Sequence, residues 1–178
     1  MDEIGRELLR DAAARFEQWK ATAEKAVAQL TDAELHWKPD AESNSVAILL
    51  WHLGGNLRSR WRDFLSTDGE KPDRNRDTEF EVGPDRTRTA IMAVWDEGWA
   101  VQRAAFAALT PADLLRTVTN RSQPETVVEA VHRQLCHLAG HVGQIVYVAK
   151  ALRGPSWQTL SIARGQSREY NERLGHRV

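Results

Sequence analysis

The sequence predicts an all-α chain whose four long helices pack as a four-helix bundle. Three observations carry this. Apolar residues recur at steps of three and four along most of the chain, strand signals are scarce, and helix punctuation falls between the periodic stretches. The length of 178 residues suits one domain over 1–178, and 42 % hydrophobic with 28 % charged residues is a globular balance.

The first helix is expected over Asp2 to Leu30, on the stripe Ile4, Leu8, Ala12, Phe16, Trp19, Ala23, Val27 and Leu30. Thr31-Asp32-Ala33-Glu34 then has the form of a capping box and starts a short turn. Pro39 ends it, because proline forces the preceding residue out of the helical region. Ser43 or Ser45 caps the second helix, which runs to about Ser66 along Val46, Leu49, Leu50, Leu53, Leu57, Trp61 and Phe64. Thr67 to Pro84 is polar and aperiodic, and so long a connection fits a crossover between two parallel helices.

The third helix is expected over Asp85 to Leu109, with Ile91, Val94, Gly98, Val101, Ala105 and Leu109 inward. Thr110-Pro111 restarts a short turn, and Arg116 to Thr119 reads as briefly extended. The fourth helix follows Pro124 on the seam Val128, Val131, Leu135, Leu138, Val142, Ile145, Ala149, Leu152, and Gly154-Pro155 stops it. In the tail over 153–178, Trp157, Leu160 and Ile162 are expected to pack on the bundle, with no element assigned.

A net charge of −1 argues against nucleic acid as the main partner. The longest apolar run, Val46 to Trp51, is far shorter than a membrane span. One cysteine permits no internal disulfide, and Met1-Asp2-Glu3 does not open a secretory signal, so the expectation is a cytoplasmic protein.

Chemistry points to the histidines. His137 and His141, four apart, project from one face of the fourth helix, as paired histidines do in helical zinc sites. The residue after the first is Leu138, where a zinc peptidase helix carries a glutamate. A second reading of the pair is one histidine at the core edge and one in solvent. His52, mid-way along the second helix in Leu49-Leu50-Trp51-His52-Leu53, adds a third imidazole. Burying all three without a cation or an acid would leave their nitrogens short of partners, and one divalent ion satisfies all three. His36, His132 and His176 read as solvated surface.

Asn56 and Gln144 sit on the faces of His52 and His141, placed to orient the imidazoles or to bind substrate. Trp51 and Trp157 are candidate walls of a substrate pocket, and Arg164 a candidate partner for an anionic substrate. Cys136 shares its helix face with His132, Gly140 and Gly143, and reads as a packed, inert thiol at a close helix contact.

His137-Leu138-Ala139-Gly140-His141-Val142-Gly143-Gln144-Ile145, with Trp51-His52-Leu53-Gly54-Gly55-Asn56 before it, resembles the DinB/YfiT-like metalloproteins. The narrower resemblance is to a branch of small bacterial proteins formerly described as a domain of unknown function. It implies an up-down-down-up bundle, often a homodimer, with His52, His137 and His141 holding a divalent metal, Zn or Ni first and Fe also compatible. It further implies an enzyme that activates a low-molecular-weight thiol or water, as a thiol S-transferase or hydrolase. The alternative from another class is a stress-linked metal-binding protein without turnover. No general base is fixed by the motif.

Overall fold

The computed structural model describes residues 2–81 and 83–175, so the expectation for His176 lies outside the described residues. They form a mostly helical chain: α1 (Asp2–Val27), α2 (Asp32–Leu35), α3 (Val46–Trp61), α4 (Arg88–Ala107), α5 (Val127–Arg153) and α6 (Ser167–Arg173). One two-stranded antiparallel sheet, β1 (Thr117–Asn120) with β2 (Gln123–Thr126), precedes α5.

Four of the helices, α2, α3, α4 and α5, start where a hydroxyl can take an otherwise unpartnered backbone N–H. Ser45 accepts from Ile48 N, and Thr87 from Ala90 N. Thr31 and Thr126 make full capping boxes with Glu34 and Glu129. α1, α3 and α4 are shorter than the apolar stripes predicted, whereas α5 spans its whole stripe and stops at Gly154 as expected. α3 ends at Trp61 rather than Ser66, because Arg62 takes an extended conformation and Asp63 a positive φ of 49°. α4 begins at Arg88, three residues after Asp85, at its Thr87 cap.

The α4 face also differs from the expected one. Ile91, Trp95, Gly98, Trp99, Gln102 and Phe106 are buried, while Val94, Val101 and Ala105 lie at the flank. Large aromatic rings bury more apolar area than valine or alanine, so they set the rotation of the helix. Phe16 of α1 meets Trp61, Trp99 and Phe106 edge-on, with ring centroids 5.9, 6.5 and 5.4 Å away. On α1 the stripe from Ala12 to Val27 points inward as expected, and Leu30 just beyond the helix is buried too, but Ile4 at its start is 76 % exposed.

Along the contact between α3 and α4 residue numbers rise together. Gly54 abuts Val94 and Gly98, Arg58 meets Glu97, and Trp61 meets Phe106. The approach is close because neither glycine carries a Cβ: one added at Gly98 would stand 2.4 Å from the Gly54 carbonyl oxygen.

The extended reading of Arg116 to Thr119 becomes β1, one strand of a hairpin whose partner begins at Gln123. Its turn residues, Arg121 and Ser122, have φ of 53° and 59°, the conformation of a type I′ hairpin turn. No glycine relieves this turn. Instead Asp68 accepts both turn N–H groups, from Arg121 and Ser122, at 2.8 Å each. The tail is tied down by a double hydrogen bond between Gln29 and Gln158, and Trp157 is half-buried against the core. Ile162, expected to pack, is 41 % exposed, and α6 buries no residue.

Candidate metal centre

His52 is carried by α3, whose second turn starts it deep in the core, and is buried. His137 and His141 come from consecutive turns of α5 and are half-buried. One ring nitrogen from each lies within 4.8 Å of the others. His52 Nε2 and His137 Nε2 stand 3.2 Å apart, close to the ~3.3 Å expected of two nitrogens on one tetrahedral zinc ion. The residues therefore fit a divalent ion by type, number and spacing. Burial, with the neighbouring His141 and His52, lowers the His137 pKa to about 3, and burial lowers that of His141. Both imidazoles are thus neutral near pH 7, the form that ligates a metal.

The outer nitrogens are held unequally. His52 Nδ1 donates to Glu79 Oε2 at 2.7 Å, and His141 Nδ1 lies 2.8 Å from Gln144 Oε1. Glu79 is itself buried and takes two hydrogen bonds from Arg74, at 2.8 and 2.9 Å. Burial opposes the charge on Glu79, but the hydrogen bonds from His52 and Arg74 outweigh it and hold the carboxyl below its ordinary range.

Glu79 arrives from the connection between α3 and α4, whose stretch Thr67 to Pro84 reads from sequence as polar and aperiodic. It is a strap tied at many points. Ser59 donates to Gly69 O and accepts from Lys71 N, and Gly69 N donates to Thr119 O of β1. Arg62 pairs with Asp73, and Arg74 with Glu70. Arg86 lies 3.5 Å over the Trp51 ring and donates to Thr78 O, pinning the turn Asp77–Phe80 onto α3. Phe80 covers His52 with ring centroids 4.8 Å apart.

The other candidates fall as follows. Gln144 touches His141 and also lines a groove of about 610 Å³ with Asn44, Gly140 and Tyr147. Asn56 does not orient His52; it is buried and accepts from Gln134 at 3.1 Å, a turn away, because Glu79 already holds His52. Trp51 presents its face to Arg86. Trp157 packs on the core, and Arg164 is exposed in the tail and joins none of the hydrogen bonds around the triad. His132 is exposed as expected, whereas His36 is half-buried beside Trp51, Ile48 and Glu79. Cys136 is not packed: it is exposed, and a Cβ at Gly140 or Gly143 would meet nothing within 4 Å.

Glu79 is the functional residue that sequence reasoning missed. Two signals bore on it. Phe80 is an aromatic residue inside a polar run, and Gly55 is a second glycine mid-helix, where a Cβ would stand 2.4 Å from Glu79 Oε1. The family described as "Protein of unknown function (DUF1572)" matches residues 3–166. The chain belongs to the DUF1572 family. No curated protein matches it. For this DUF1572 protein the site is thus defined by its own geometry: three convergent imidazoles, one backed by a buried carboxylate. No described helix is long and apolar enough to cross a membrane.

Proposed function

We propose that this DUF1572 protein is a DinB-like divalent-metal protein, with His52, His137 and His141 as ligands, and that it is a metal-dependent enzyme activating a thiol or water. The observation that carries the reading is the convergence of the three imidazoles within 4.8 Å. When bound, a divalent ion on three neutral histidines keeps its charge and an open position, which supports a hydroxide or thiolate near neutral pH. The chain's own residues supply the rest. Glu79 and Gln144 hold the outer nitrogens of two ligands, and Phe80 covers the buried one. The groove at Gln144, which the three histidines do not line themselves, has the volume of a small-molecule site and adjoins the centre through the contact of Gln144 with His141.

We read α1, α3, α4 and α5 as the up-down-down-up bundle of that superfamily. In support, numbers rise together along α3–α4, whereas Asn56 meets Gln134 as His52 meets His137, the order of opposed helices. A homodimer in the cytoplasm, with no nucleic-acid partner, completes the proposal. Its test is elemental analysis of purified protein after dialysis. Wild type should retain about one Zn or Ni per chain, and His141→Ala should lose most of it. Equal metal content in the two proteins would refute the ligand assignment.

A further inference from the structure

The three histidines are not equivalent, and the difference lies behind them. His141 has an uncharged amide on its outer nitrogen, and His137 has no hydrogen bond on Nδ1 among the described residues. His52 alone is backed by a carboxylate, and that carboxylate is clamped by a guanidinium whose side chain is 5 % exposed. A buried ion pair is costly to desolvate and is not a general source of stability. Nor does packing between α3 and α4 call for it, since Gly54 and Gly98 already close that contact. What the pair does satisfy is the Nδ1–H of His52.

We propose that Glu79 is a positioning residue of the metal site: held by Arg74 in a recess that Gly55 leaves open, it fixes the Nδ1–H tautomer of His52 and makes His52 the anchoring ligand. With the proton on Nδ1, Nε2 presents its lone pair towards His137 and His141. A carboxylate behind a ligating imidazole also raises its basicity, which strengthens the bond to a cation. Gly55 makes the recess. A methyl group there would contact Glu79 Oε1 at 2.4 Å and Cδ at 3.0 Å, so the carboxylate must withdraw. The far end of a flexible side chain gives way easily, so the helix itself is spared. The two adjacent glycines after Leu53 therefore have separate tasks: Gly54 admits α4, and Gly55 admits Glu79.

The metal part of this inference rests on the three-histidine reading; the tautomer does not. The experiment combines ¹⁵N-histidine spectra of metal-free protein with competitive Zn(II) titration of wild type, Glu79→Gln, Gly55→Ala and Gln144→Ala. Wild-type His52 should carry its proton on Nδ1. Both Glu79→Gln and Gly55→Ala should populate the other tautomer and bind Zn(II) more weakly, Glu79→Gln by roughly 10–100-fold. Gln144→Ala should lose less, and Gly55→Ala should keep its helix content by circular dichroism, because the added methyl displaces a side chain and not the helix backbone. A wild-type His52 protonated on Nε2 would overturn the proposal. So would a Gly55→Ala protein with wild-type tautomer and affinity, and this variant decides the matter if Glu79→Gln fails to fold. Wild-type protein that binds neither Zn(II) nor Ni(II) sinks the metal reading, while the His52 tautomer still decides for or against Glu79.

Discussion

Helix-interior glycines normally destabilise by about 0.8–1 kcal/mol relative to alanine, so replacing one should help unless the missing Cβ is needed. Here the chain offers both cases. At Gly98 the new Cβ would stand 2.4 Å from the carbonyl oxygen of Gly54 and 2.9 Å from its Cα, and all of these atoms are backbone. Ordinary contact begins near 3.4 Å, so α3 and α4 must part by about 1 Å, and overpacking of this kind costs about 1–3 kcal/mol. At Gly140 nothing lies within 4 Å, and the helical gain should appear undiminished. Gly98→Ala should therefore lose up to about 2 kcal/mol net and Gly140→Ala gain about 0.5–1 kcal/mol. For a chain of this size that separates the two melting temperatures by up to roughly 12 °C, readable by calorimetry in the presence of a chelator. Since α3 carries His52, Gly98→Ala should also weaken Zn(II) binding. A Gly98→Ala protein melting at or above Gly140→Ala would refute the argument that backbone contact sets the α3–α4 spacing.

Two further outcomes follow from charge. In metal-free protein, His137 and His141 have pKa values below the ordinary 6.5, so the unfolded chain binds more protons than the native one between pH 6.5 and about 3. Stability should fall as pH drops through that window, by up to ~1.4 kcal/mol per pH unit for His137 and in the same direction for the more exposed His141, and urea titrations at pH 7 and 4.5 in chelator will show it. Flat stability across that range would contradict the burial of the two rings. Asp68→Ala removes the acceptor of the Glu70, Arg121 and Ser122 N–H groups and should cost about 1–3 kcal/mol. Adding Ser122→Gly, at φ 59°, should restore part of that loss, because glycine takes positive φ without strain; no recovery would mean that the turn conformation is not what Asp68 supports.

The long helices were legible because each obeys local rules. The apolar seam of α5 and the caps at Thr31 and Ser45 are written in adjacent residues, and capping does not depend on the rest of the fold. The rotation of α4 was not legible in the same way. Two stripes share Ile91 and Gly98, and only the partner surface on α1 and α3, where Phe16 and Trp61 wait for an aromatic neighbour, decides that Trp95, Trp99 and Phe106 turn inward. β2 was hidden for a related reason. Pro124 inside it and a turn without glycine both argue against a strand, and the compensation comes from Asp68, more than fifty residues earlier.

The same division runs through the candidate site. Ligands spaced by a helical turn announce themselves, since His137 and His141 share a face by geometry alone, and a histidine among leucines demands a partner. That partner need obey no spacing. A carboxylate on a loop reaches its imidazole through the path of the strap, and Glu79 sits in a run where acidic residues are common: Asp77, Glu79 and Glu81 alternate within five positions. What distinguishes the middle one is burial, and burial is decided by Arg86 on Trp51, by Phe80 over His52 and by the missing Cβ of Gly55. A strap this polar would gain little from hydrophobic collapse, so its order has to come from ion pairs and from hydrogen bonds to Ser59 and the hairpin. Those ties converge on the hairpin that launches α5 and on the carboxylate that holds His52. The strap thereby joins the helix carrying one ligand to the helix carrying the other two.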